Sequence, residues 1–172
     1  AFIKMKQMID SGEVGDLKSV INYYVSPVGH AGSHWFDVMQ FLNGDVPAVS
    51  VLAQLTEGAE FIKGNIIGED PWGEGIVRFE NDMVGYALMT PRKYEQEIMC
   101  ERGIFSVYQN GRKMEFRPAT PPDARGRFKF GWGEFPTFDP ASTTLGIIED
   151  LVHSLDTGEP PRGGTQVARA NL

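Results

Sequence analysis

The sequence predicts an α+β fold, an antiparallel sheet with helices on one face, and three observations carry that prediction. Residues 75 to 117 hold short apolar-alternating runs separated by turn residues at Asn81-Asp82, Pro91-Arg92, Arg102-Gly103 and Asn110-Gly111, the pattern of an antiparallel meander. Residues 33 to 42 and 144 to 156 instead repeat their apolar side chains at helical spacing. The strands, finally, are apolar on both sides: Val84, Tyr86 and Leu88 oppose Met83, Ala87 and Met89, where a sheet facing water would be polar on one side. The helices can cover one face. The other calls for a second subunit or a further domain.

In chain order, residues 1 to 11 read as the end of a helix, with Phe2, Met5 and Ile9 on one stripe and Gly12 placed to close it. Residues 17 to 25 are rich in β-branched and aromatic types and read as a strand bounded by Pro27. Trp35, Val38, Met39 and Leu42 make the apolar stripe of a helix from about Ser33 to Leu42, ended by Gly44, and Gly29 and Gly32 leave His30 in the loop before it. Val49, Val51, Ala53 and Leu55 alternate as in a half-buried strand over 46 to 55, and the five glycines between 57 and 74 indicate loop.

Within the meander, residues 94 to 101 split cleanly. Tyr94, Gln96, Ile98 and Cys100 share one face, and Glu95, Glu97 and Glu101 form a solvated or interfacial face. Asn110-Gly111 is the strongest hairpin signal, because a type I′ turn needs two residues at positive φ. Residues 118 to 140 form a long aromatic- and proline-rich loop. Asp139-Pro140 then reads as a helix start, Leu145, Ile148, Leu151, Val152 and Leu155 as its apolar side, and Gly158-Glu159-Pro160-Pro161 as its stop.

At 172 residues, with 41% hydrophobic and 23% charged residues, one soluble globular domain spanning 1–172 is the expectation, and no run approaches the ~18 apolar residues of a membrane span. A net charge of -7 with scattered Lys and Arg argues against nucleic acid or an anionic membrane as partner. Cys100 is alone, so no intrachain disulfide forms, which with the absence of a signal pattern fits a reducing cytoplasm. The chain opens inside an apolar-periodic segment and closes at Asn171-Leu172 without a stop signal, so a fragment of a longer protein is expected.

Two of the three histidines fall in one stretch, where His30, His34 and Asp37 recur at i, i+4 and i+7 and would share one side of a helix. Three readings compete. The side chains could simply satisfy one another and the backbone. His34 could exchange a proton with a substrate hydroxyl while a neighbour tunes it. Or two histidines and a carboxylate could bind iron or zinc, against which stand Gly32 and the ~10 Å of rise between i and i+7. Trp132 could stack on a sugar ring or pack within its loop, and His153 reads as structural, near a helix C-terminus. No phosphate loop, dinucleotide fingerprint, nucleophile elbow or zinc-type cysteine pair occurs.

The run Met8-Ile9-Asp10-Ser11-Gly12-Glu13-Val14-Gly15 leading into a strand, then Gly32-Ser33-His34-Trp35-Phe36-Asp37 leading to Phe41-Leu42-Asn43-Gly44, and finally Leu155-Asp156-Thr157-Gly158-Glu159-Pro160-Pro161 cover nearly the whole chain in order. Together they resemble the C-terminal domain of the glucose-fructose oxidoreductase / inositol dehydrogenase (Gfo/Idh/MocA) family. The resemblance implies an open, mostly antiparallel sheet with helices on one face and subunit contacts on the other. It implies a substrate-binding and oligomerising domain of an NAD(P)-dependent oxidoreductase acting on a sugar- or polyol-like CH–OH group, with His34 as the catalytic residue. His30, Asp37 and Trp132 are then the candidates for holding substrate.

In the family an N-terminal Rossmann domain binds NAD or NADP and supplies a lysine; neither is found in this sequence, so no cofactor and no activity are expected of the chain alone. The sequence departs from the family four residues before the histidine, where His30 replaces an aspartate, exchanging an acceptor-only anion for a switchable donor or acceptor. A non-catalytic ligand-binding or scaffold protein is the alternative.

Overall fold

A computed structural model describes residues 1–56, 62–63, 66–67, 70–92, 94–127, 129–138 and 143–161. It divides into two compact units, residues 1–137 and 138–172. The first contains helices α1 (Phe2–Asp10) and α2 (Val28–Asn43) and strands β1 (Leu17–Tyr24), β2 (Ala48–Leu55), β3 (Ile62–Lys63), β4 (Ile66–Ile67), β5 (Gly73–Phe79), β6 (Val84–Met89), β7 (Glu95–Cys100), β8 (Gly103–Tyr108) and β9 (Lys113–Pro118). Seven strands form one open sheet in the order β2-β5-β6-β1-β7-β8-β9, and β3 pairs with β4. Every neighbouring pair is antiparallel except β1 with β6. The α+β class and the mostly antiparallel sheet are those expected.

The meander, however, is interrupted. β6 and β7 follow each other in sequence but not in space, because β1 lies between them, parallel to β6 and antiparallel to β7. The link between β6 and β7 passes over the C-terminal end of β1, where the Thr90 N–H donates to the Tyr24 carbonyl at 2.9 Å. Inserting β1 places its buried residues Val20, Asn22 and Tyr24 at the centre of the helix-covered face. At an apolar transfer value of roughly 1.5–3 kcal/mol per large side chain, Met39, Leu42, Ile98 and Phe105 beside them are major contributors to stability.

α1 buries Met5 and Met8 and packs against α2, which lies on β1. The close approach of α2 to the sheet depends on Gly85 in β6, where a methyl group would collide with the buried Met39 sulfur. On β7, Gln96, Ile98 and Cys100 are buried while Glu95 and Glu97 are half-exposed, as the alternation predicts. β2 differs from expectation. All eight of its residues are exposed, because it is the outermost strand and pairs only with β5. An alternating pattern gives a strand two faces, but burial also requires a layer on top.

The two-residue strands β3 and β4 lie in the stretch expected to be loop. At the opposite edge of the sheet, the segment after β9 folds back, with Phe116 bridging Glu134 and Ala119 bridging Phe130. Asn110 and Gly111 have φ of 56° and 81°, the positive pair that the hairpin signal requires.

The second unit contains α3 (Thr143–Thr157). Its apolar side, including Leu145, Ile148, Leu151 and Leu155, is exposed. The helix-start signal Asp139-Pro140 and the closing Asn171-Leu172 lie outside the described residues. No helix among the described residues is long and apolar enough to cross a membrane.

Candidate functional site

Helix α2 starts at Val28, five residues before the start expected at about Ser33, so His30 belongs to the helix and not to a preceding loop. The reason is tertiary. Pro27 occupies the N-cap and provides no capping side chain, leaving the first N–H groups of the helix in need of acceptors. They find them more than forty residues away in sequence or close to it: Val28 N–H donates to the Pro71 carbonyl at 2.8 Å, Gly29 N–H to Asp70 Oδ1 at 2.7 Å, and His30 N–H to Asp70 Oδ2 at 2.6 Å. Both oxygens of one carboxylate thus hold the first turn, with the charge sign that the helix dipole favours.

The following turn is fixed by aromatic packing. Trp35 is 3% exposed and lies between Tyr24 and Tyr94, with ring centroids 5.6 and 5.7 Å away and interplanar angles of 35° and 32°. Tyr24 donates its hydroxyl to the Gly73 carbonyl. Burial, with the Glu74 charge adding to it, raises the Tyr24 pKa, which keeps that hydroxyl a donor. With Trp35 locked inward, His34 is directed outward. His30, His34 and Asp37 are all exposed and lie on one helix.

The structure therefore brings three of the four predicted residues onto one element. Trp132 is elsewhere: it is 95% exposed in the segment that folds back along β9, and β9 lies three strands from β1, roughly 14 Å across the sheet. No group of three His, Cys, Asp or Glu side chains among the described residues could hold a metal ion, so His30, His34 and Asp37 do not assemble the two-histidine, one-carboxylate set. Their spacing along the helix axis accounts for this. His153 Nε2 lies 3.5 Å from Glu159 Oε2.

A cleft of about 640 Å³ lies at the other end of α2, where Leu42, Asn43 and Gly44 meet Lys6, Glu101 and Arg102. Its cations are already engaged. Lys6 pairs with Asp10, Lys18 with Asp16, and Arg102 donates to the carbonyls of Gly12 and Glu13. Size alone does not make it the better candidate, because the titratable histidines are at the opposite end.

Reading the sequence did not identify Asp70, Tyr24 or Tyr94 as parts of this region. A signal was present for Asp70: Pro27 at the N-cap carries no side-chain acceptor, so one had to come from another residue.

Among the described residues, the start of α2 does not fit the pyrophosphate of a dinucleotide. The pyrophosphate of such a cofactor takes a helix N-terminus that follows a strand, and the β1-to-α2 turn is the place for it here. That position already holds the Asp70 carboxylate, and the turn lacks the glycine pattern that lets phosphates approach.

No family model and no curated protein matches the sequence. Solved structures do match. One is a protein of Desulfitobacterium hafniense designated an NADPH-dependent oxidoreductase, at TM-score 0.73 and 14% identity, covering 98% of this chain and 55% of that one. Another is the aldose-aldose oxidoreductase of Caulobacter crescentus complexed with glycerol, at TM-score 0.69 and 12% identity, covering 99% and 54%. A third is an oxidoreductase of Agrobacterium radiobacter in complex with NAD+, L-tartaric acid and magnesium, at TM-score 0.65 and 15% identity, covering 99% and 56%. The chain spans about half the length of these proteins. Backbone and sequence motifs thus agree: the chain has the fold of the C-terminal domain of the Gfo/Idh/MocA-type NAD-binding oxidoreductases.

Proposed function

We propose that residues 1–172 form one substrate-binding and oligomerising domain of an NAD(P)-dependent oxidoreductase, with a sugar- or polyol-like CH–OH group as substrate. The observation that carries this reading is the exposure of His34 on a helix whose start is clamped by Asp70 and Pro71 and whose next turn is wedged between Tyr24 and Tyr94. An imidazole can both accept and donate a proton, and on a fixed turn it can meet a substrate hydroxyl repeatedly in one geometry. His34 exchanges the proton with that hydroxyl. His30 and Asp37, on the same helix, hold neighbouring hydroxyls, while Trp132, three strands away beside β9, takes no part in this site.

In this reading hydride chemistry belongs to a nicotinamide held outside these residues, which the occupation of the α2 start by Asp70 supports. The glycerol and tartaric acid bound by two proteins of this fold support a small polyhydroxylated substrate. The buried lone thiol of Cys100 suits a reducing cytoplasm.

Assembly would use the sheet face opposite α1 and α2. Ile76, Tyr86 and Ile21 run across it in register, half-buried, and Tyr23 extends the patch beneath the Arg92 guanidinium, 4.3 Å from its ring centre. Sedimentation at micromolar concentration should give a dimer or larger species, and a monomer would remove this part of the reading. For the chemistry, the protein together with its nucleotide-binding part is assayed on glycerol, glucose and myo-inositol with NAD+ and NADP+. His34→Gln should lower kcat by about 10²–10⁴-fold with little change in KM. A His34→Gln protein with wild-type kcat overturns it.

A further inference from the structure

We propose that Asp70 is a positioning residue for the histidine face of α2, a role that rests on reading His34 as the proton-transfer group. Its carboxylate reaches the helix from a segment just before β5, and each oxygen takes one N–H of the first turn, at 2.7 and 2.6 Å. One of those N–H groups is that of His30 itself. Two bonds from a single rigid fork fix both the position and the rotation of the turn, which a one-point cap would not. His34 lies one turn further on, so a rotation of the first turn displaces both imidazoles together.

Nothing local can take over this task. Pro27 has neither an N–H nor a capping oxygen, and Gly29 and Gly32 make the first turn intrinsically weak. The remaining first-turn bond, Val28 N–H to the Pro71 carbonyl at 2.8 Å, comes from the residue after Asp70. The start of α2 therefore follows wherever residues 70 and 71 are placed, and the histidines follow the helix.

Imidazole resonances test this on the chain as it exists. His30, His34 and His153 are the only three histidines, and His153, beside Glu159, serves as the internal reference. Asp70→Ala should shift and broaden the His30 and His34 signals, leave His153 unmoved, and speed exchange of the Gly29 and His30 amides on the order of tenfold. Acetate, but not chloride at the same ionic strength, should restore both readouts by supplying the missing carboxylate. Asp70→Asn, which keeps an acceptor and loses the charge, should fall between Asp70→Ala and wild type.

Unmoved His30 and His34 signals in Asp70→Ala overturn the proposal. So do displaced signals that neither acetate nor the Asp70→Asn variant recovers, since that outcome marks a general loosening. Neither readout requires turnover, so an inactive His34 role would leave this test standing, and a failed test would leave the His34 assay standing.

Discussion

The N-terminal end of α2 is held by a charged group from another segment and by packed aromatics, whereas the hydrogen bonds that close its C-terminal end join neutral groups. At the C-terminal end Gly44 adopts φ 69° and ψ 37°, and its N–H donates to the Phe41 carbonyl at 3.4 Å. Asn43, 8% exposed, exchanges amide hydrogen bonds with Asn81 at 3.3 and 2.8 Å, and Asn81 also accepts from Met83 N–H. Leu17, Leu42 and Cys100 are buried in the same region. Neutral, reciprocal contacts of this kind rigidify and do not titrate. The N-terminal end, by contrast, keeps two imidazoles and a carboxylate in solvent on a turn that depends on another carboxylate. The exposed imidazoles thus lie at the end that a carboxylate from another segment holds.

Alkaline pH puts the largest load on that distinction. Burial pushes the Cys100 thiol from its ordinary 9.0 up to about 12. An unfolded chain sheds this proton above pH 9 while the folded chain keeps it, so the unfolded state binds fewer protons and stability falls as pH rises from 9 to 12. The slope from this one group is at most about 1.4 kcal/mol per pH unit. Tyr24, raised by burial and by Glu74, adds a loss of the same sign above its ordinary value of 10.0. Urea midpoints across this range should therefore fall for wild type, and Cys100→Ala should remove the earlier part of the fall while leaving the later part. If the two proteins lose stability in parallel from pH 9, the closed end is not as dry as its burial implies.

How much of each end could be read from the sequence follows the same division. Gly44 was legible because a C-cap glycine acts within its own turn, and the stripe Trp35, Val38, Met39 and Leu42 identified the body of the helix. The start was not legible. Gly29, Gly32 and Pro27 lower local helix propensity, and what overrides them is Asp70, separated from His30 by forty residues of chain. β1 shows the same effect. Its β-branched and aromatic composition predicted a strand at the right residues, yet nothing local could say that it would part β6 from β7 and run parallel to one of them. β2 had the alternation of a half-buried strand but is exposed throughout, because burial belongs to the layer above a strand. Of the site, His30, His34 and Asp37 were legible as one helical side from spacing alone, while the groups that hold that side in place were not.

The smallest effect is expected from the local cap, and it separates the two ends most cleanly. A methyl group at Gly44 would find only Lys6 Nζ at 3.9 Å, an ordinary contact, so Gly44→Ala has no steric cost and must be felt through φ 69° alone. A left-handed residue with a Cβ costs about 1 kcal/mol, and asparagine, which tolerates that conformation better, should cost less. Chemical denaturation should therefore rank Gly44→Ala below Gly44→Asn and both below wild type. The imidazole resonances of His30 and His34 should stay where they are in both variants, since the first turn answers to Asp70 and Pro71 and not to the cap sixteen residues on from Val28. Movement of those resonances in Gly44→Ala would mean that α2 shifts as a rigid rod, with its two ends coupled, and that the histidines are positioned by the whole helix.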